Sequence, residues 1–312
     1  LNRGRGMAVG FWHNGGGEAS CSVSVNADGT INLIEGSADI GGTRASIAMQ
    51  AAEVLGLNAE DVHPFVVDTA SVGYTSGTGG SSVTFKTGWA AYQAANQLKE
   101  QLIERTSEIW NVSPEDVDLK NGIFQSKIDS GLKMAFKDLT CQLNSTGGPI
   151  VGYGAVNATG VGGAFSGCIV DVEVDPETGK ATILRYTTAQ DAGTAIHPSY
   201  VEGQMQGGVA QGIGWALNEE YIHDKKGVMQ NPGFLDYRIP VASDLPMIET
   251  VIVEVPNPKH PYGVRGVGEV GIVPPIPAIA NAIHDATGIR LRDLPMSPVR
   301  VLEGLNQQNG AG

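Results

Sequence analysis

The sequence GQMQGGVAQGIG fills residues 203–214, and GVGEVGIVPP fills residues 266–275. The first stretch has the composition of a helix, which we expect to run from about Pro198 to Asn218. Glycine inside a helix costs roughly 1 kcal/mol relative to alanine, so its repetition here indicates that another group approaches this helix closely. That group is either a second helix or a flat ligand, to which Gln211 would offer an amide donor and acceptor.

The chain contains two units whose predicted elements follow one another in the same order, and both stretches lie in the second unit. In each unit the pattern predicts a β-hairpin, a helix, a strand, a glycine-rich loop and a second helix. The first unit has strands at 20–26 and 30–35, a helix at 45–55, a strand at 62–67, a loop at 73–82 and a helix at 84–110. The second has strands at 168–174 and 181–189, the helix at 198–218, a strand at 248–255, a loop at 263–271 and a helix at 277–287. The predicted fold class is therefore α+β, with two similar subdomains of β-hairpins or sheet packed with long helices.

The boundary between the units is placed by composition. Residues 143–164 are rich in glycine, serine and threonine, which is typical of a connection. We therefore predict one domain at residues 1–150 and a second at residues 151–312. A small additional hairpin is predicted at 119–125, where Asn121-Gly122 supplies the turn.

Charge and composition exclude several classes of function. The chain of 312 residues is 41% hydrophobic and 17% charged, and its formal net charge is −13 without any basic block, so we expect no nucleic-acid partner. No apolar run reaches the roughly 18 residues that cross a bilayer, and we expect a cytoplasmic protein without membrane contact. The three cysteines and six histidines lack metal-ligand spacing. This disfavours a protein-ligated metal, but not a metal carried by an organic cofactor.

Two segments carry candidate chemistry. Gly79-Gly80-Ser81-Ser82 stands before the long predicted helix, where unpaired amide groups favour an anion, although a serine there is equally typical of an ordinary helix cap. Glu269 lies among apolar and glycine residues, and desolvation favours proton abstraction by such a carboxylate. The alternative is a solvated loop glutamate without a catalytic role. Composition and spacing leave these alternatives open.

A nucleotide-binding domain is a further hypothesis for the loop at 79–82. It predicts a parallel sheet and a phosphate-binding lysine, and Lys86 is wrongly spaced for that role. The chain also lacks a strand-linked Gly-x-Gly-x-x-Gly fingerprint, so we do not favour this hypothesis.

An ordered set of motifs resembles the molybdenum hydroxylases of the xanthine dehydrogenase and aldehyde oxidase family. Residues 203–214 resemble the family's helix beneath the pterin, and residues 266–269 resemble the loop that carries its catalytic glutamate. Further matches, in family order, lie at 39–41, 77–81, 236–240, 277–283 and 293–298. The resemblance implies the carboxy-terminal half of a molybdopterin-binding subunit. Such a subunit would hydroxylate a nicotinate-like or purine-like N-heterocyclic aromatic compound with oxygen derived from water.

The resemblance also implies the site residues. Glu269 would be the general base, and the contacts to a molybdenum-molybdopterin cofactor, either plain or as the cytosine dinucleotide, would be Gln211, Gly79, Gly80, Ser81, Gly41 and Gly42. At Gly42 the family usually has glutamine, so only backbone contacts are carried over there. Two alternatives stay open, namely an aldehyde-oxidising member of the family and a non-catalytic subunit that only holds the cofactor.

The chain departs from the family in length. The family's catalytic portion is longer and includes a glycine-phenylalanine loop that Gly15-Gly16-Gly17 does not match, and the start at Leu1 resembles a mid-chain segment. We favour a divided large subunit, as in nicotinate dehydrogenase, over a fragment. This interpretation implies a second molybdopterin-binding subunit that completes the molybdenum site, an FAD subunit and an iron-sulfur subunit with 2Fe-2S clusters. The substrate would be a small molecule.

Overall fold

The computed structural model describes residues 2–310, so Leu1 lies outside the described residues. The strands are β1 Asn2–His13, β2 Gly17–Val25, β3 Ile31–Glu35, β4 Val62–Val66, β5 Val117–Lys120, β6 Ile123–Ser126, β7 Lys133–Ala135, β8 Val151–Ala158, β9 Gly163–Val174, β10 Ala181–Asp191 and β11 Ile248–Val253. The α-helices are α1 Thr43–Leu55, α2 Thr69–Val72, α3 Val83–Trp110, α4 Phe136–Thr140, α5 Pro198–Leu217, α6 Pro275–Thr287 and α7 Pro298–Gly310.

The two larger sheets share one topology. The strand order is β4-β3-β2-β8 in the first sheet and β1-β9-β10-β11 in the second. Each sheet contains an antiparallel hairpin, β2–β3 or β9–β10, and a helix then leads to a strand parallel to the second hairpin strand. An antiparallel strand closes the other side of each hairpin. This repetition confirms the predicted α+β class with two similar units.

Each sheet buries one face under helices. Helices α1 and α3 cover the first sheet, where Val23, Leu33 and Leu98 are fully buried. Helices α5 and α6 cover the second, around Val170 and Val209. Burial of aliphatic side chains on both layers supplies the main stabilisation of each unit.

The two units exchange their edge strands. Strand β1 pairs with β9 of the second sheet, and β8 pairs with β2 of the first. The expectation that residues 143–164 form only a connection was therefore wrong, because this stretch contains β8. The division of the chain at residue 150 stays a prediction, and the exchange means that each sheet draws a strand from the other side of that position.

Glycines explain why β8 was not predicted from the sequence. Gly152 and Gly154 face α3, and a Cβ atom at either position would collide with the carbonyl oxygen of Ala94 or Ala90. The strand therefore lies directly on the helix backbone. A strand whose buried face lacks side chains shows no apolar alternation, and it reads as a flexible glycine-rich segment.

Strand β1 repeats this arrangement against α6. A Cβ at Gly4 would collide with the Ala282 carbonyl, and one at Gly6 would collide with the Ala278 carbonyl. The apolar side chains of β1 point to the opposite, exposed face, as they do at Val9. Neither β1 nor the terminal helix α7 was predicted from the sequence, whereas the small hairpin β5–β6 was, with Asn121 and Gly122 at positive φ.

This close contact generates a stability prediction. Gly6→Ala should destabilise the fold by about 1–3 kcal/mol, because overpacking forces the strand away from the helix. The matched control is Gly167→Ala on the neighbouring strand, where a Cβ would meet nothing nearer than the Val9 Cγ1 atom at 3.7 Å. Urea unfolding should give a lower midpoint for Gly6→Ala and a near-normal one for the control. Equal midpoints for the two variants would contradict the proposed contact.

Candidate functional site

A cavity of about 510 Å³ lies where the two units meet. The amino termini of α1 and α3 contribute walls from the first unit. Helix α5 and the loop at 264–269 contribute walls from the second. Glycine-rich loops lead into α1 and α3, and larger side chains such as His197, Tyr200 and Arg265 also line this space. The cavity therefore unites the segments that sequence analysis singled out for chemistry.

Glu269 is the half-buried carboxylate of this cavity. It precedes a short 3-10 turn, Val270–Ile272, that leads into α6. Its Oε2 atom accepts hydrogen bonds from Ser81 Oγ at 2.7 Å and from Trp12 Nε1 at 3.0 Å. The Glu269 amide donates to Ser81 Oγ at 3.1 Å. A carboxylate with two donors on one oxygen is held in a defined orientation, and among the described residues no donor reaches Oε1.

The glycines of α5 have two different roles. A Cβ at Gly208 would lie 3.0 Å from the Gly271 backbone, and one at Gly212 would lie 2.6 Å from Pro275, so these two positions permit close packing on the Glu269 segment. At Gly207 a Cβ would meet nothing within 4 Å, and this residue lines the cavity. Gln211 also lines the cavity and is exposed. The helix thus packs closely on one side, as the first alternative predicted, and borders free space on the other, while the ligand alternative stays a prediction.

The amino terminus of α3 is the stronger candidate for anion binding. Ser82, Val83 and Thr84 line the cavity, and the hydroxyl of the fully buried Ser82 has no hydrogen-bond partner among the described residues. The first turn of a helix carries amide groups without intrahelical acceptors and a partial positive charge. At α1, by contrast, the Arg44 amide already donates to the Asp39 carboxylate.

Lys86 stabilises the loop before α3 from inside the protein. Its fully buried Nζ donates to the Ser76 carbonyl at 2.8 Å, to Ser76 Oγ at 2.7 Å and to the Gly77 carbonyl at 2.8 Å. Burial lowers the pKa of this ammonium group. Since all three donors are used within the chain, Lys86 does not serve as a phosphate-binding lysine.

The structure brings most of the predicted site residues together. Glu269, Gln211, Gly79, Ser81 and Gly41 all line the cavity. Gly42 and Gly80 are not among the residues that line it. Gly42 lies against the Tyr200 ring, and Gly80 accepts a hydrogen bond from Gly15 at 2.6 Å. The roles assigned to these residues from the sequence stay predictions.

Sequence reasoning did not assign a role to several residues in and around the site, including Tyr200 and His197 in the cavity lining. Trp12 lies on the unpredicted strand β1, and Ser82 was treated only as part of the loop. Gln204 is wedged against Gly41 and Gly268, and Gln190 donates to the Val267 carbonyl at 2.7 Å. The amides next to glycines in the α5 sequence were the only signal available for Gln204.

His260 fixes the loop that leads to Glu269. Its Nε2 donates to the Phe85 carbonyl of α3 at 3.1 Å, and its Nδ1 accepts from the Tyr262 amide at 3.1 Å. The ring is 5% exposed, and burial lowers its pKa to about 4. The neutral form of the ring therefore connects the second unit to α3.

The described residues contain neither a grouped metal site nor a membrane-spanning helix. Within residues 2–310, no three side chains of His, Cys, Asp or Glu are grouped to hold a metal ion. No helix in the same range is long and apolar enough to span a bilayer.

Comparisons with known proteins agree with one another. A family model described as a molybdopterin cofactor-binding domain matches residues 1–246. The chain is 34% identical over 316 residues to the putative xanthine dehydrogenase molybdenum-binding subunit XdhA of Escherichia coli (strain K12), covering 97% of this chain and 42% of the relative. It is 30% identical over 312 residues to the 6-hydroxypseudooxynicotine dehydrogenase complex subunit gamma of Paenarthrobacter nicotinovorans, covering 96% and 38% respectively. The chain thus spans about two fifths of the length of these relatives.

Solved structures share the fold. The reconstituted CO dehydrogenase from Oligotropha carboxidovorans matches with a TM-score of 0.88 and 24% identity, over 99% of this chain and 41% of that chain. At this identity the likeness concerns the fold alone. It supports the arrangement of the two units described above.

The buried histidine generates a pH prediction. The unfolded chain protonates His260 below its ordinary pKa of about 6.5, whereas the folded chain resists protonation down to about 4. The contribution of the neutral His260 ring to the free energy of unfolding is therefore intact above about pH 6.5 and is lost as the pH falls toward 4. At about 1.4 kcal/mol per pKa unit, the loss reaches about 3 kcal/mol. Urea unfolding of wild type and His260→Asn at several pH values should show a smaller acid dependence in the variant, and identical pH profiles would contradict the prediction.

Proposed function

We propose that the cavity forms part of the molybdenum site of a hydroxylase. The premise is that the chain belongs to the family of molybdopterin cofactor-binding domains. Its substrate would be a nicotinate-like or purine-like N-heterocyclic aromatic compound. The observation that carries the proposal is one cavity with the α3 amino terminus on one wall and the Glu269 carboxylate on another.

The chain's own residues fit an anionic pterin cofactor. Phosphate is a suitable ligand for the α3 amino terminus, whose first residues line the cavity. Gly79 leaves room, since a Cβ there would meet nothing within 4 Å. The exposed Gln211 amide offers both a donor and an acceptor to a pterin ring. These residues would hold the molybdenum-molybdopterin group, which we propose in its plain or cytosine dinucleotide form.

The proposed mechanism divides the work between cofactor and protein. The bound group supplies the metal and the two-electron oxidation. Glu269 accepts the proton that is released as the water-derived oxygen is activated, and its free Oε1 atom is suited to that transfer. Ser81 and Trp12 hold the other carboxylate oxygen. The close approach of Gly208 to the Gly271 backbone supports the segment that carries the base.

The substrate class is supported by the relatives. Their names refer to xanthine and to 6-hydroxypseudooxynicotine, which favours an N-heterocyclic compound. A turnover screen of the purified complex with purines, pyridine carboxylates and aldehydes tests this part of the proposal. Activity confined to aldehydes would replace the proposed substrate class with the alternative one.

A second molybdopterin-binding polypeptide is the partner that we propose. The relatives contain more than half of their length outside the region that this chain matches. The uncovered face of the second sheet carries exposed apolar side chains on β1, β9 and β11, namely Met7, Val9, Phe11, Phe165, Ile169, Val251 and Val253. Contiguous apolar surface of this kind is typical of an interface.

The position of this apolar face favours the same partner. At the opposite end of the sheet, the pairs Arg3–Glu173 and Arg5–Asp171 form a charged, solvated surface. The apolar part lies toward the carboxyl end of β1, where Trp12 contacts Glu269. A polypeptide bound there would cover the outer face of β1, the strand whose inward-facing Trp12 donates to Glu269. FAD and 2Fe-2S clusters would be carried by further subunits, an FAD subunit and an iron-sulfur subunit, and we propose a cytoplasmic location for the complex.

Replacement of the proposed base tests the catalytic role. Glu269→Gln should keep the molybdenum content but lower turnover by roughly 10²–10⁴-fold, because the amide cannot accept the proton. Metal analysis and steady-state kinetics on the purified complex measure both quantities. Wild-type turnover with full metal content would instead support a non-catalytic, cofactor-holding subunit.

Introduction of a charge into the apolar face tests whether the partner binds there. Val9→Glu should reduce the recovery of the second molybdopterin-binding subunit with the affinity-tagged chain, because a buried unpaired carboxylate opposes association. The matched control is Ile128→Glu, at a residue that is also exposed but belongs to the turn after β6 of the small sheet. Unchanged recovery with Val9→Glu would rule out this face as the interface.

A further inference from the structure

Ser81 adopts a backbone conformation that serine rarely takes. Its φ is 53°, in the left-handed region, and the other non-glycine residues with positive φ among the described residues are Asn111 and Asn121. Asparagine tolerates that region through local hydrogen bonds, whereas for serine it costs on the order of 1–2 kcal/mol. Glycine would adopt it without this cost. The serine side chain must therefore contribute something that glycine would not.

The contribution of the side chain is visible in its contacts. Ser81 Oγ donates to Glu269 Oε2 at 2.7 Å and accepts from the Glu269 amide at 3.1 Å. One hydroxyl thus fixes both the backbone and the carboxylate of the same residue. Trp12 Nε1 binds the same oxygen from the other side, at 3.0 Å. With Oε2 engaged twice, Oε1 is the oxygen left to accept a proton.

The loop that carries Ser81 is held rigidly. Lys86 anchors the carbonyls of Ser76 and Gly77, and the Gly80 carbonyl accepts from the Gly15 amide at 2.6 Å. On the other side, a Cβ at Gly266 would lie 2.5 Å from the Ser81 carbonyl oxygen, so the two loops are in close contact. The hydroxyl is therefore presented to Glu269 by a fixed backbone.

We propose that Ser81 is a positioning residue for the base. Its hydroxyl holds the Glu269 carboxylate so that Oε1 accepts the proton, and its loop aligns this oxygen with the ligand bound at the α3 amino terminus. The inference rests on the proposed role of Glu269. It differs from the sequence-based assignment of Ser81 as a cofactor contact, because the hydroxyl is directed to the base.

The competing explanation is a purely structural link between the two units. The two explanations make opposite predictions for Ser81→Gly, which removes the hydroxyl and also the left-handed strain. A structural link by backbone alone would leave turnover intact. A positioning role requires kcat to fall even where stability does not.

The test uses the purified, molybdenum-loaded complex. Ser81→Gly and Ser81→Ala should each lower kcat by about 10- to 100-fold, the fold-change expected from losing a hydrogen bond to a charged group. KM and molybdenum content should be unchanged. Thermal unfolding should show Ser81→Ala to be less stable than Ser81→Gly, because only alanine retains the strain. The matched control is Asn121→Gly, which removes the strain of a left-handed backbone in the β5–β6 hairpin and should leave kcat unaltered.

A double variant separates this inference from the proposed function. In a Glu269→Gln background, Ser81→Gly should cause no further loss, because the residue acts through the base. Unchanged kcat in Ser81→Gly, or an equal loss in both backgrounds, would overturn the positioning role while Glu269 stays the base. Wild-type turnover in Glu269→Gln alone would overturn the proposed function and this inference with it.

Discussion

Direct contact between glycine backbone and helix backbone is the constraint on which this structure depends. Gly6 places β1 on α6, Gly152 places β8 on α3, and Gly208 places α5 on the Glu269 segment. At Gly6 and Gly152 even a methyl group has no room, because the neighbouring atoms belong to backbone that cannot rotate away, and at Gly208 a methyl group would be tightly packed against the Gly271 backbone. The same type of contact therefore fixes the edge strands β1 and β8 on their helices and fixes α5 on the segment that carries Glu269.

The exchange of edge strands has a consequence for chemistry. Trp12 and Ser81 lie 257 and 188 residues from Glu269 in sequence, yet both donate to one carboxylate oxygen. Trp12 reaches it because β1 crosses to the second sheet, and Ser81 reaches it because the α3 loop meets the loop at 264–269. The orientation of the carboxylate is therefore a property of both units together.

The sequence predicted most of the elements whose buried face carries side chains, although the terminal helix α7, with Val301 and Leu305 in the core, was an exception. The hairpins β2–β3 and β9–β10 alternate in polarity, and α3 and α5 have the length and composition of helices, so their type and order were predictable. Strands β1 and β8 were not, since glycine occupies their inward positions. Glu269 was found through its glycine-rich, apolar surroundings and a family resemblance. Trp12 was not found, because its contact exists only after the strand exchange.

The hydrogen bonds of the two serines before α3 could not be predicted from the sequence either, because they form only in the folded chain. A Gly-Gly-Ser-Ser motif indicates a helix amino terminus, but it does not show which of the two serine hydroxyls bonds to Glu269. In the structure the Ser82 hydroxyl is buried without a hydrogen-bond partner among the described residues, whereas the Ser81 hydroxyl donates to Glu269. This distinction depends on the left-handed backbone of Ser81, which no residue type in the motif specifies.

The central claim is that the cavity between the α3 amino terminus and Glu269 holds the molybdenum cofactor. An anomalous difference map from crystals of the complete complex, recorded above the molybdenum absorption edge, tests it most directly. The predicted result is a molybdenum peak beside the Glu269 carboxylate, with cofactor density reaching the amino terminus of α3. A molybdenum peak elsewhere in the complex, with this cavity filled by water, would contradict the claim.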